Sequence, residues 1–155
     1  MNEYRVERIN HNQRHLFADL FNQYNLFRDE TLREKPVSDC MRERLFNSEP
    51  VLFIALRNQA EPFPVGFIQL YSMYSSTNAV KTTIVNDLFV LPDYRNNGIA
   101  LKLIEVAVKF AINNKSPLIQ LQTLQDNLIV QKLFESVGFK SQLSESALNI
   151  YSIQF

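Results

Sequence analysis

A polar turn between an apolar strand and an apolar helix carries the clearest chemistry in this sequence. Residues 95–100 read Arg-Asn-Asn-Gly-Ile-Ala, an R-x-x-G-x-A pattern. The first turn of a helix leaves backbone N–H groups without intrahelical partners, and the helix dipole adds partial positive charge there. Gly98 lets a ligand approach the backbone closely, and Arg95 adds a positive charge. The turn therefore predicts a phosphate-binding site.

A purely structural interpretation of the same turn stays open, in which Gly98 only shapes the step from strand to helix. Two better-known phosphate motifs are excluded. The turn is not a P-loop, because the Gly-Lys-Ser/Thr ending is missing. It is not a dinucleotide fingerprint, because it holds one of the three glycines of that pattern.

The elements around the turn predict a mixed sheet with helices on both faces. Alternating or continuously apolar segments predict strands at residues 4–9, 51–56, 65–74, 81–91, 117–123, 139–140 and 148–155. Helical periodicity predicts one helix that opens at an Asn10/Gln13 capping box, and others at 37–46, 99–112 and 126–137. The first helix has an apolar stripe of Leu16, Phe17, Leu20, Phe21 and Tyr24. Strands alternate with helices only in the second half, which favours a mixed α/β arrangement.

Composition narrows the class of protein. The 155 residues, 46% of them hydrophobic, suffice for one domain with its own core. Sixteen basic and sixteen acidic side chains cancel, so no general charge attracts nucleic acid or an anionic membrane. Cys40 has no partner for an intramolecular disulfide, and neither a signal-like start nor a membrane-length apolar run is present. We expect a cytoplasmic protein. His11 and His15 lack an accompanying acidic or Cys cluster, so we expect no metal.

Two linked motifs resemble those of the GNAT N-acetyltransferase superfamily. The Asp-Leu-Phe-Val strand ending before the turn, with residues 95–100, resembles the family's pyrophosphate motif R/Q-x-x-G-x-G/A. Residues 127–139, NLIVQKLFESVGF, resemble its N-x-x-A-x-x-L-Y-E-x-x-G-F. The resemblance implies the GNAT acyl-CoA N-acyltransferase fold, a mixed sheet of six to seven strands flanked by about four helices, in one domain over residues 1–155. Within the superfamily, the diamine and Hpa2-like acetyltransferases look most similar.

The resemblance also implies an activity, transfer of the acetyl group of acetyl-CoA to a primary amine by direct attack. The pyrophosphate would be held by Arg95 and the main chain of Asn96, Asn97, Gly98, Ile99 and Ala100. The pantetheine arm would bind like an added strand, where the sheet splays, along Leu88, Phe89 and Val90. A backbone N–H near Val90 would stabilise the oxyanion. The second motif would contribute Asn127 and Phe134.

Two positions depart from the family pattern. Phe134 stands where a Tyr commonly protonates the leaving thiolate, and a phenyl ring has no proton to donate. Asn86 stands where the related diamine enzymes carry Glu, so Asp87 becomes the nearest acid, and we name both as catalytic candidates. Asp87 would remove a proton from the ammonium of the acceptor. The alternative for Asp87 is a structural carboxylate bonded to a loop.

Several aromatic side chains are candidates for binding the acceptor, namely Tyr24, Phe27, Tyr71 and Tyr74. Core packing is the alternative for Tyr24 and Tyr71. A small-molecule amine is the expected acceptor, without nucleic acid or membrane. The alternatives are a non-catalytic acyl-CoA-binding module and an N-acyltransferase that acts on proteins or uses longer acyl chains. We expect a homodimer, because the apolar strand at 148–155 would leave an edge that seeks a partner. The alternative is that this strand is internal to the sheet.

Overall fold

The fold is a mixed α/β arrangement, seen in a computed structural model that describes residues 3–28, 51–74, 80–124, 128–142 and 148–155. The strands are β1 (Tyr4–Arg8), β2 (Val51–Arg57), β3 (Phe63–Tyr74), β4 (Lys81–Val90), β5 (Leu118–Leu124), β6 (Lys140–Gln142) and β7 (Leu148–Gln154). The α-helices are α1 (Arg14–Arg28), α2 (Ile99–Asn113) and α3 (Leu128–Val137). Short 3-10 helices span His11–Gln13 and Pro92–Tyr94.

The seven strands form one mixed sheet in the order β1-β2-β3-β4-β5-β7-β6. β4 and β5 pair in parallel, whereas β1 with β2, β5 with β7, and β6 with β7 pair antiparallel. The predicted mixed sheet is therefore confirmed. The described residues hold three α-helices rather than about four, and the predicted helix at 37–46 lies outside those residues. None of the helices in the described ranges is long and apolar enough to cross a membrane.

Close packing divides the described chain into two compact units. The first unit comprises Met1–Gln69 with Asp87–Leu103, and the second comprises Leu70–Asn86 with Ile104–Phe155, within the described ranges. β3, β4 and α2 each run from one unit into the other.

The core of the first unit lies beneath the apolar stripe of α1. The Asn10 capping box is confirmed, because the Asn12 N–H donates to Asn10 Oδ1 at 2.9 Å and the Asn10 N–H donates to Gln13 Oε1 at 3.2 Å. Phe17 and Leu20 are fully buried, and the whole predicted stripe packs into one cluster with side chains of β2, β3 and β4. The 3.6-residue periodicity of this helix thus fixes which side chains face β4.

The core of the second unit is organised around β5. Thr82 to Val85 of β4 pair in parallel with residues 118–121 of β5, and all seven residues of β5 pair with β7 on its other side. Ile119, Leu121 and Tyr151 are buried here. The strand predicted at 148–155 as an uncovered edge is instead internal, because β6 pairs with residues 150–152. That basis for a dimer was wrong.

Thr83 is a buried polar residue whose hydroxyl has no hydrogen-bond partner among the described residues. Leaving a buried hydroxyl unpaired costs free energy that a matching apolar side chain avoids. We expect Thr83→Val to raise the free energy of unfolding by about 1 kcal/mol. Urea unfolding with an unchanged m-value would check it. Thr83→Ser, which keeps the hydroxyl and loses the methyl group, should not stabilise, and a destabilised Thr83→Val would contradict the account.

Candidate active site

The turn after β4 is held in place by its own hydrogen bonds. The Leu91 N–H donates to the Val65 carbonyl at 2.8 Å, which holds the end of β4 against β3. The Asn97 side-chain amide donates to the carbonyls of Tyr94 and Arg95 at 3.0 and 3.1 Å. Asn96 and Gly98 both have left-handed backbone conformations, with φ of 62° and 73°. Contacts within the chain therefore hold the turn in its shape.

Gly98 occupies the N-cap of α2. Its carbonyl accepts the first helical hydrogen bond, from the Lys102 N–H at 3.1 Å, and it has no side chain with which to cap the first-turn amides. A Cβ placed on Gly98 would meet no atom within 4 Å. The exposed turn around residues 96–98 thus leaves open space beside the positive end of the helix dipole. Those features fit a phosphate group.

Arg95 does more than add charge to this turn. Its Nε donates to the Val90 carbonyl at 3.0 Å, and its guanidinium lies over the Phe89 ring, 5.9 Å from the centroid. The side chain therefore ties the turn to the last residues of β4.

The end of β4 is placed by a close approach of the backbone of β3. A Cβ on Gly66 would lie 2.8 Å from the Phe89 carbonyl oxygen and 3.2 Å from Val90 Cγ2, so only glycine fits without displacing β4. The described pairing between β4 and β5 covers residues 82–85, and β4 continues for five more residues beyond it. Leu88, Phe89 and Val90 thus belong to a strand segment outside the described parallel ladder.

Asp87 lies in the first unit and is 9% exposed. The hydroxyl of Tyr24, on α1, donates a hydrogen bond to Asp87 Oδ1. Asn86 comes immediately before Asp87 on β4 and is exposed. Alternate residues of a strand point to opposite faces, so Asn86 and Asp87 point to opposite faces of β4. The two catalytic candidates are therefore not equivalent, and Asp87 contacts α1 through Tyr24.

Comparison with known proteins decides the family. The model of the Acetyltransferase (GNAT) family matches residues 14–139 of the 155. The uncharacterised N-acetyltransferase YhfO of Bacillus subtilis strain 168 is 34% identical over 123 residues, which cover 79% of this chain and 80% of YhfO. This chain is a GNAT acetyltransferase. As a member of the family it uses acetyl-CoA as its acetyl donor.

Solved structures share the GNAT fold over nearly the whole chain. The crystal structure of a probable acetyltransferase is 29% identical, with a TM-score of 0.79, and covers 90% of this chain and 91% of its own. The PaiA N-acetyltransferase of Thermoplasma acidophilum, solved with coenzyme A, has a TM-score of 0.75 at 15% identity and covers 100% of both chains. The predicted GNAT fold is confirmed.

The second GNAT motif belongs to the second unit and is described in part. Asn127 lies outside the described residues. Phe134, on α3, is 4% exposed, with its ring centroid 5.8 Å from that of Phe139 and 6.0 Å from that of Tyr151. Phe134 therefore packs in an aromatic cluster of its own unit.

This packing predicts a small effect for a hydroxyl at Phe134. We expect Phe134→Tyr to leave turnover within about twofold of the wild type, because thiolate is a fair leaving group and solvent can protonate it. Burying the added hydroxyl should lower the free energy of unfolding by about 1 kcal/mol. Steady-state kinetics and urea unfolding measure both, with Phe139→Tyr as the control from the same cluster. A tenfold rise in turnover for Phe134→Tyr alone would show that the position meets the leaving group.

Of the other three acceptor candidates, two are exposed, and the side chain of the third lies outside the described residues. Tyr71 and Tyr74, near the end of β3, are 38% and 73% exposed, so neither is a core residue. Both belong to the second unit. Phe27 lies in the last turn of α1, and its side chain lies outside the described part of the chain.

A separate groove of about 480 Å³ lies along α1, lined by His15, Leu16, Asp19, Leu20, Asn22, Gln23, Phe63 and Pro64. It contains none of the residues predicted for acetyl-CoA, catalysis or the acceptor. Among the described residues, no group of three or more His, Cys, Asp or Glu side chains could hold a metal ion.

Two features of the site were missed in the sequence. The Tyr24–Asp87 bond joins residues 63 positions apart, and nothing in the local pattern pairs them. Gly66 sits inside an apolar strand, where an isolated glycine is a known signal of close backbone approach. That signal could have indicated the position of β4 relative to β3.

Proposed function

We propose that this GNAT protein transfers the acetyl group of acetyl-CoA to the primary amine of a small molecule. The observation that carries the proposal is the β4–turn–α2 segment, where Gly98 has no side chain to cap the first turn of α2 and a Cβ on it would meet open space. Acetyl-CoA would supply an acetyl thioester, which an amine can attack directly. Residues of the chain would bind the cofactor and the acceptor and would accept the proton.

The main-chain groups of residues 96–100 would bind the pyrophosphate, and Arg95 would hold the turn to β4 through the Val90 carbonyl. Residues 88–90 would bind the pantetheine arm with their main chain. These residues lie beyond residues 82–85, the part of β4 in the described pairing with β5. From the second motif, Asn127 and Phe134 remain proposed as cofactor-binding residues.

Asp87 would receive the proton of the acceptor ammonium. Its carboxylate is nearly buried and is oriented by Tyr24, as a proton acceptor at a defined position requires. Asn86, on the other face of β4, is the lesser candidate. Tyr24, Phe27, Tyr71 and Tyr74 remain the proposed side chains for the acceptor, and a tyrosine beside a carboxylate suits a cation.

The experiment is thiol release from acetyl-CoA across a panel of amines. Diamines test the proposed closeness to diamine and Hpa2-like enzymes, and the other members are polyamines, aminoglycosides, amino acids and short peptides. Thiol release with a small amine supports the proposal. Release with peptides alone, or only with longer acyl-CoA donors, would favour the protein or long-chain N-acyltransferase. Binding of CoA without release for any amine would favour the non-catalytic module that Phe134 suggests.

We propose further that residues 1–155 work as one domain in the cytoplasm, without nucleic acid or membrane partners. The family match supports the first point, because residues 14–139 include parts of both units. The lone cysteine and zero net charge support the others.

We also propose a homodimer, now on a different basis. Among the described residues, β6 pairs with three of the seven residues of β7. Backbone groups of β7 that this pairing does not use are where a second copy could add. Light scattering at micromolar concentration should give twice the mass of the chain, and a monomer would contradict the proposal.

A further inference from the structure

We propose that Tyr24 is a positioning residue for Asp87, acting on the acceptor amine through that carboxylate. The inference rests on the proposed function, in which Asp87 receives the proton of the ammonium. This role of the Tyr24 hydroxyl is separate from the contact proposed above between Tyr24 and the acceptor. The hydroxyl of Tyr24 is directed at Asp87 Oδ1, so its hydrogen is committed to the carboxylate.

The ring of Tyr24 is fixed on several sides within the first unit. Its centroid lies 5.3 Å from that of Phe89, 5.4 Å from that of Phe67 and 5.8 Å from that of Phe21. Phe67 is fully buried and Phe89 nearly so. A tyrosine ring has two side-chain torsions, so aromatic packing of this kind sets the direction of its hydroxyl. The hydrogen bond to Asp87 is therefore imposed by the core.

Tyr24 contacts two residues that share one face of β4. Asp87 and Phe89 are two positions apart on that strand, so their side chains point the same way. Tyr24 packs its ring on Phe89 and directs its hydroxyl to Asp87. The same side chain thus sets both the distance of α1 from this face and the rotamer of the carboxylate.

An oriented carboxylate is useful for proton transfer because a general base must lie within hydrogen-bond distance of the proton that it removes. The bond from Tyr24 to Oδ1 restrains the rotation of the Asp87 carboxylate. In the step itself, the acceptor's N–H bond breaks, the proton moves to Asp87, and the nitrogen keeps the electron pair with which it attacks. Tyr24 neither gains nor loses a proton in this step.

A purely structural bond between α1 and β4 is the alternative, and kinetics can distinguish it. The variants are Tyr24→Phe, Asp87→Asn, the double variant, and Tyr4→Phe as a control. Tyr4 is buried where Tyr24 is partly buried, and both belong to the first unit. Tyr4 lies on β1, and its ring, which Tyr4→Phe keeps, packs against Tyr94 with centroids 6.5 Å apart. Each is assayed for kcat and for the KM values of acetyl-CoA and of the best amine in the panel. Urea unfolding of the same four variants gives the coupling between Tyr24 and Asp87 in stability.

For Tyr24→Phe we expect kcat to fall roughly tenfold, the effect of losing one hydrogen bond to a charged group. The KM for acetyl-CoA should stay within about twofold of wild type, and Tyr4→Phe should match wild type in kcat. The double variant should be no slower than Asp87→Asn, because residues that act as one unit are not additive.

Three results would overturn the positioning role in an active enzyme. They are an unchanged kcat for Tyr24→Phe, multiplicative losses in the double variant, and a Tyr24→Phe chain that fails to fold, which would make the bond structural. Wild-type protein that acetylates no amine in the panel would instead refute the proposed function, and the role of Tyr24 with it.

Discussion

Gly98→Val should weaken the binding of CoA by about a hundredfold or more, the loss expected when about two amide–phosphate hydrogen bonds are broken. Gly98 is the N-cap of α2 with φ of 73°, and its missing side chain leaves the space beside the helix open. A valine would fill that space. It would also strain a left-handed position, at a cost of about 1–3 kcal/mol in stability.

The control for that strain is Gly138→Val. Gly138 follows α3 with φ of 107°, and a Cβ there also meets no atom within 4 Å. Its variant should lose comparable stability and keep its affinity for CoA. Calorimetry with CoA and urea unfolding of both variants separate binding from folding. If Gly98→Val binds CoA within twofold of wild type, the phosphate-site assignment is wrong.

Arg95→Ala is measured in the same experiment and should weaken the binding of CoA less, by about tenfold. The reason is that the main-chain amides remain, while the tie from Arg95 Nε to the Val90 carbonyl is lost. We expect this variant to fold, because the side chain is exposed.

Asp87→Asn should lower turnover about a hundredfold or more at pH values where the acceptor arrives as an ammonium. Asparagine keeps the size of the side chain but accepts a proton poorly. At higher pH the acceptor already carries its lone pair, so the deficit should shrink as pH rises through the titration range of the amine. The pH–rate profile of kcat/KM for the amine measures this directly.

The control for Asp87→Asn is Asp93→Asn. Asp93 is an exposed acid in the 3-10 helix after β4, so the same change alters net charge without touching the carboxylate that Tyr24 contacts. Its profile should match wild type. A profile for Asp87→Asn with unchanged shape and height would remove Asp87 from the mechanism, and CoA affinity near wild type would confirm that the variant is folded.

The parts of this protein that sequence reasoning predicted are those set by neighbours along the chain. The capping box of Asn10 and Gln13 and the glycine turn at Gly98 each depend on a few consecutive residues, whose conformations local chemistry dictates. The apolar stripe of α1 was predictable for the same reason, because its period is that of a single helix.

What could not be predicted depends on which elements meet. The bond from Tyr24 to Asp87 requires knowing that α1 lies over that face of β4, which no spacing reveals. The position of β7 depends on β6, whose three residues carry too little pattern to show that they cover it. The Arg95 tie to Val90 spans only five residues, yet it depends on how the turn folds back.

The position of β5 in the sheet has a consequence for how the chain folds during synthesis. In the parallel pair, Leu118 of β5 lies opposite Thr82 of β4, which is 36 residues earlier in the chain. In the antiparallel pair, the same Leu118 lies opposite Gln154 of β7. Such pairings form slowly, since distant segments must be brought together before any contact forms. Until β7 leaves the ribosome, β5 presents one open edge with buried-type residues such as Ile119 and Leu121. A stalled or shortened chain that ends before Leu148 should therefore aggregate rather than persist as a partly folded enzyme.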